Sequence, residues 1–199
     1  ERSSTRVYCA CSTVSTLSAA AIQRSEVSHP IRLRSLLLPA VRRTTARATI
    51  DSLFNSIGDS IEICREGRLQ KIRGFVDHWH LDLAGTPRTG HTFETADALL
   101  LPEIWPTLRE VLSHVDTNVP GLNRLLALAA PHRSLVRFLR WGSRLGLPLA
   151  RRFGNSDSGI GYEITSSDGE RVEISIAGGA DGHRIALIPA TLVVADLDR

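Results

Sequence analysis

The segment IEICREGRLQKI at residues 61–72 decides the fold class. Apolar and polar residues alternate on both sides of Glu66-Gly67, and this pattern predicts two short strands joined by a tight turn. The segment GYEITSSDGERVEISIA at residues 161–177 has the same organisation around Asp168-Gly169, a residue pair typical of hairpin turns. Two hairpins far apart in the chain predict a sheet in which antiparallel pairing dominates.

Further elements are predicted outward from these hairpins. Alternation at residues 31–34 and 78–83 predicts strands, the second of them at a sheet edge, and residues 107–115 are interpreted as a strand rather than a helix. Residues 85–90 are expected to form a loop. Helical spacing predicts helices at residues 17–24, 46–57, 121–130 and 134–147, with Pro131 separating the last two.

Together these elements predict an α+β fold: a mixed, mainly antiparallel sheet, with helices from residues 46–57 and 121–147 covering one face. Residues 1–30 are expected to be a poorly defined N-terminal segment, and residues 31–199 one domain. Within that domain a short terminal helix is expected after Pro189. A chain of 199 residues with 42% hydrophobic content can bury a core of this kind.

Composition narrows the function classes. The formal net charge is +3, and the basic residues are not interleaved with aromatic residues in a known module, so nucleic acid is not an expected partner. Cys9, Cys11 and Cys64 fit neither a disulfide framework nor a zinc motif and are interpreted as reduced thiols of a cytoplasmic protein. No apolar run reaches the roughly 18 residues that a membrane span needs.

The chain contains no methionine and its first residue is Glu1. We therefore expect it to be part of a longer protein. Whether it is a fragment, a truncated gene or a processed product stays open.

Motifs that carry chemistry are few. No G-x-G-x-x-G is present, so no cofactor-binding residue is assigned. His78, His80 and Asp82 alternate along one strand face and could hold a metal ion, but an exposed strand edge is the favoured interpretation, and no metal site is predicted. The G-x-S-x-G elbow of serine hydrolases is also missing, and Asp181-Gly182-His183 is interpreted as a turn. No catalytic residue is assigned.

One charge pattern supports a binding hypothesis. Arginines follow one another at spacings of four, three and four along the helix predicted at residues 134–147 and just before it, which places them on one face. Phe138, Trp141 and Leu145 repeat on another face. The arginine face could meet an anionic partner, such as lipid headgroups or a phosphate, or could simply be solvated. Its members are Arg133, Arg137, Arg140 and Arg144.

Several segments, taken in order, resemble the C-terminal, non-nucleotide-binding half of saccharopine dehydrogenase-like oxidoreductases. The resemblance runs from about Ser12 to the end. It is carried by residues 47–58 with the hairpin at 61–72, by FETAD with LLP at residues 93–102, by VPGLN at 119–123, by FGNSDSG at 153–159, and by the final hairpin with Pro189-Ala190. The chain departs from the family at Val14-Ser15-Thr16-Leu17, where a proline-glycine-leucine turn is common.

The resemblance implies a parent protein that transfers hydride with NAD(P). This domain would shape the substrate pocket and a subunit interface, and alone it would be inactive. The partners then expected are a separate dinucleotide-binding domain and a second copy of the chain. The alternative is a non-enzymatic domain that binds a partner or a membrane surface through the arginine face. A cytoplasmic location is expected, with peripheral membrane contact under the alternative.

Overall fold

A computed structural model gives the fold and describes residues 9–42 and 53–178, without the side chains of residues 9–14 and 143–151. Within these ranges the helices are α1 (Cys9–Arg24), α2 (Asp97–Ile104), α3 (Leu122–Ala129) and α4 (Arg133–Phe153). The strands are β1 (Pro30–Leu38), β2 (Ser60–Arg65), β3 (Arg68–Arg73), β4 (His78–Leu83), β5 (Thr86–Thr92), β6 (Glu110–Val115), β7 (Gly159–Ser166) and β8 (Arg171–Ala177).

The strands form one sheet in the order β3-β2-β6-β1-β7-β8, and the hairpin β4–β5 joins it through pairing of β5 with β6. Strands β1 and β6 run parallel, whereas the other described pairs are antiparallel. The predicted α+β fold, with a mixed and mainly antiparallel sheet, is confirmed.

Both predicted hairpins are confirmed. Strands β2 and β3 close at Glu66 and Gly67, which have φ of 55° and 72°. Glycine adopts this left-handed region without strain. Strands β7 and β8 close at Asp168-Gly169, where the Ser166 hydroxyl donates to the Asp168 carboxylate and the Ser166 amide donates to the Glu170 carbonyl.

The strands predicted at 31–34, at 78–83 and within 107–115 are present as β1, β4 and β6. The loop predicted at residues 85–90 is wrong, because β5 spans Thr86–Thr92. Ala84 and Gly85 both have positive φ, 52° and 82°, and close a two-residue turn with Leu83 opposite Thr86. Such a turn suits the twist of a hairpin.

Helices α1 and α2 cover one face of the sheet. Apolar side chains of both helices pack against those of β1, β6 and β7 in the largest core cluster, which includes Ala21, Ile22, Leu33, Leu101, Val111, Tyr162 and Ile164. The helix predicted at 17–24 is therefore the second half of a longer one. Helix α2 was not predicted, and it tolerates Pro102 inside its last turn.

The opposite face is covered by the hairpin β4–β5. Leu81 and Leu83 of β4 lie over Gly161 and Gly159 of β7: a Cβ on Gly161 would lie 2.3 Å from Leu81 Cδ2. A Cβ on Gly90 of β5 would lie 2.1 Å from Leu36 Cδ1. Only glycine permits such close backbone approach, so these residues set the distance between hairpin and sheet.

Helices α3 and α4 pack at the end of the sheet. Leu126 and Ala130 pack with Phe75, Val115 and Ile57, and Val136 and Leu139 of α4 join this cluster. The helices predicted at 121–130 and 134–147 are thus present as α3 and α4. They were expected to cover one face of the sheet, but they lie at its end, and the helices that cover the face are α1 and α2. Of the helix predicted at 46–57, residues 53–56 are helical and residues 46–52 lie outside the described ranges. The turn at 181–183 and the helix after Pro189 also lie outside them.

Candidate ligand groove

A groove of about 630 Å³ lies at the carboxyl ends of the two parallel strands, β1 and β6. Its walls come from the hairpin β4–β5 and from the loop of residues 116–121 that connects β6 to α3. In open α/β sheets, ligands bind outside the carboxyl ends of parallel strands, and this groove lies at the same end of the parallel pair β1 and β6. Its volume suits a small molecule.

Asn118 holds the floor of the groove together. Its side-chain amide donates to the carbonyls of Pro39 (3.2 Å) and Asp157 (2.8 Å), and its Oδ1 accepts from Arg88 Nη1 (3.2 Å) and Asn155 Nδ2 (3.2 Å). One buried side chain therefore joins its own loop to three segments that are distant in sequence: the end of β1, strand β5 and residues 155–157. Its φ of 56° lies in the left-handed region, which asparagine tolerates better than most residues.

Asp116 and Asn123 fix the entry into α3. One oxygen of Asp116, Oδ1, accepts from the Asn118 amide and from Asn123 Nδ2, both at 2.8 Å. Asn123 Oδ1 accepts from the Thr117 amide at 2.9 Å. Helix α3 begins after Gly121, which has φ 76° and supplies no side-chain cap. The Leu122 amide donates to the Val119 carbonyl at 3.1 Å, and the next amides of the first turn, which have no intrahelical acceptor, are the donors that the start of α3 presents beside the groove.

Three histidines line the opposite wall. His78 of β4 is paired in register with His91 of β5, and their ring centroids are 6.0 Å apart. His80 lies 5.4 Å from His78, and its Nδ1 is 2.8 Å from Thr89 Oγ1. His78 and His80 are exposed, whereas His91 stacks on Phe75 and is only 8% exposed.

His91 is the most buried of the three histidines. Its Nδ1 is covered by the protein and has no hydrogen-bond partner, whereas a backbone hydrogen bond with Phe75 acts on the ring. Burial, together with the neighbouring His78, lowers the pKa of His91 from its usual value.

Two guanidinium groups complete the groove. Arg88 of β5 is half-buried, with Nη1 on Asn118 and a buried Nε that has no partner. Arg124 lies exposed in the first turn of α3. Asp116 is the one carboxylate among the described lining residues, so their side chains together carry a net positive charge.

The structure separates the residues of the metal hypothesis. His78 and His80 come together in the groove, but Asp82 lies at a smaller pocket with Ala84 and Glu173. Among the residues that the structure describes, no group of three or more His, Cys, Asp or Glu side chains is placed to hold a metal ion. The sequence analysis did not identify His91, Arg88, Asn118 or Arg124. The only signal for His91 was its position opposite His78, which becomes visible once the turn at Ala84-Gly85 is known.

The arginine face lies away from the groove, on α4. Arg133, Arg137 and Arg140 are exposed there, and the side chain of Arg144 is outside the described part. Beside them Phe138 and Trp141 are 63% and 71% exposed, with ring centroids 6.4 Å apart. Val136 and Leu139 point to the core. The outer side of α4 is thus both cationic and aromatic.

No helix in the described ranges is both long and apolar enough to span a bilayer. Comparisons with the models of known protein families and with curated proteins give no match to this chain.

Proposed function

We propose that this chain is the substrate-binding and assembly domain of an NAD(P)-dependent oxidoreductase of the saccharopine dehydrogenase-like type. The observation that supports this is the polar groove at the carboxyl ends of β1 and β6, which could hold a substrate on the α+β sheet. The groove would hold the substrate.

The described residues do not fit the dinucleotide itself. Strand β1 is followed by Pro39, and no glycine occurs between Pro30 and Ile57. Strand β6 leads to α3 through a loop with a single glycine, Gly121. A pyrophosphate site needs several glycines for close approach of the backbone to the phosphates. We therefore assign NAD(P) binding to another domain, and no chemical step is derived from these residues.

The genomic DNA upstream of Glu1 tests this function. An in-frame sequence that encodes G-x-G-x-x-G between a strand and a helix is the expected finding. The joined protein should then bind NADH or NADPH in a fluorescence titration, whereas this chain alone should not bind either nucleotide. A joined protein that binds neither nucleotide, or micromolar binding by this chain alone, would overturn the assignment.

The outer side of α4 favours a second candidate, binding to an anionic membrane surface. Phe138 and Trp141 could enter the headgroup region while Arg133 and Arg137 contact anionic lipids. A helix that combines an apolar and a basic side in this way binds at the interface and does not span the bilayer. The candidate requires neither a nucleotide nor a substrate.

Flotation with phosphatidylserine vesicles tests the membrane candidate. The chain should float at low salt and much less at physiological salt, because the attraction is screened. An Arg133→Glu/Arg137→Glu variant should not float. The matched control is Arg68→Glu/Arg73→Glu, which changes the charge equally on the exposed strand β3. Equal flotation of both variants, or no flotation of the wild type at low salt, would remove this candidate.

A further inference from the structure

The groove combines cationic groups with hydrogen-bond donors that the fold leaves unused. Arg88 contributes a guanidinium from the β5 side and Arg124 one from the α3 side. No carboxylate of the described residues forms an ion pair with either of them. Guanidinium groups bind carboxylates and phosphates through two parallel hydrogen bonds. The charge balance therefore favours a negatively charged ligand.

The start of α3 adds to this preference. Gly121, Asn123 and Arg124 all line the groove, so the positive end of the helix faces it. No side chain caps the helix at Gly121. Helix starts of this kind bind oxyanions through backbone amides.

The histidine wall can contribute further donors. His78 and His80 line the groove and are exposed, and an imidazole carries at least one N–H donor. His91 lines the groove as well but is only 8% exposed, and its Nδ1, like Nε of Arg88, is covered by the protein. The donors available to a ligand are therefore the outer atoms of these side chains.

We propose that this groove is a binding site for the oxyanion group, carboxylate or phosphate, of a small molecule, held between Arg88, Arg124, the start of α3 and the histidines of the opposite wall. The two guanidinium groups outweigh the single negative charge of Asp116, whose Oδ1 accepts hydrogen bonds from the Asn118 amide and Asn123. The proposal deepens the proposed function by giving the substrate an anionic group, but anion binding by the chain alone does not depend on hydride transfer.

Calorimetric titration of the chain with inorganic phosphate and, separately, with succinate tests the site. At least one probe should bind, and the stronger one identifies which oxyanion the groove prefers. Arg124→Gln should weaken binding by about tenfold or more, since it removes a charge-assisted contact. Arg124 is exposed, so this variant should keep the wild-type melting temperature.

Two further variants make the result specific. Arg88→Gln should weaken binding at least as strongly, although it also removes a bond to Asn118. Arg68→Gln on the exposed strand β3 makes the same charge change and should bind like the wild type. The proposal is overturned if neither probe binds at tens of millimolar, or if Arg124→Gln and Arg68→Gln bind alike. Failure of the joined protein to bind NAD(P), with anion binding intact, would refute only the oxidoreductase assignment.

Discussion

Lowering the pH should destabilise this protein through His114. This residue of β6 is 2% exposed, and its Nδ1 is 3.2 Å from the Ser35 carbonyl. Burial is the main cause that lowers the pKa of His114 from 6.5 to about 4. The native protein therefore keeps this ring neutral between pH 6.5 and 4, whereas the unfolded chain takes up a proton.

The sign and size of the effect follow from proton linkage. Because the unfolded state binds more protons in this window, stability falls as the pH falls from 6.5 to about 4, and the contribution of His114 is constant below that. Over the whole window, a pKa shift of this size lowers the free energy of unfolding by about 3 kcal/mol, and about 2 kcal/mol of this loss falls between pH 7 and pH 5. Asp97 acts in the opposite direction, because burial raises the pKa of its carboxyl.

Comparison with His114→Gln isolates the effect. Glutamine keeps a donor for the Ser35 carbonyl but does not titrate, and every other group is unchanged. Urea unfolding followed by circular dichroism at pH 7 and pH 5 should show that the wild type loses about 2 kcal/mol more than the variant. His132→Gln, at an exposed position, should lose as much as the wild type. Equal losses in wild type and His114→Gln would refute the reasoning.

Five substitutions, two of which serve as comparisons, test the packing. Gly90→Ala should lower the free energy of unfolding by about 1–3 kcal/mol, because its Cβ would meet Leu36 at 2.1 Å. A Cβ at Gly85 has no neighbour within 4 Å, so Gly85→Ala should lower it by only about 1 kcal/mol, through the positive φ. Urea unfolding measures both values. In the same assay, Asp97→Ala should lower the free energy of unfolding by about 2–4 kcal/mol, because the buried hydroxyls of Ser15 and Ser18 lose their acceptor. Ser15→Ala removes one of these two hydrogen bonds and should lower it by less. Trp141→Ser should change the stability by less than about 0.5 kcal/mol in thermal melting, since its ring is 71% exposed; a larger loss would show that the ring is packed.

Local signals made the hairpins and the divided helix pair predictable. Alternation around Glu66-Gly67 and Asp168-Gly169 determines both the strands and the turn, and Pro131 separates α3 from α4. The hairpin β4–β5 was only half predicted, because Ala84 takes a left-handed conformation that alanine seldom adopts. Helix α2 was missed because a proline such as Pro102 usually indicates the end of a helix. In the structure, the packing of Leu101 in the core outweighs the cost of that proline in the helix.

The groove could not be predicted, because it depends on contacts between distant segments. The parallel pairing of β1 with β6 brings Pro39 next to Asn118, 79 positions away. The pairing register of β4 with β5 brings His91 next to His78 and leaves Asp82 elsewhere. The first arrangement is set by the sheet order and has no local pattern, and the second depends on the turn at Ala84-Gly85, which the sequence did not indicate. The arginine face was visible because it repeats within one helix.

Two carboxylates show how differently the core and the groove treat charge. Asp97 is fully buried, and each of its oxygens accepts a hydrogen bond from a serine of α1, so the fold itself satisfies the carboxylate and ties α1 to α2. In the groove, Asp116 is the one carboxylate among the described lining residues, and neither Arg88 nor Arg124 forms an ion pair with a described carboxylate. A bound oxyanion would supply that missing charge partner only in the folded state. The phosphate or succinate that binds should therefore raise the melting temperature, and it should do so less in Arg124→Gln.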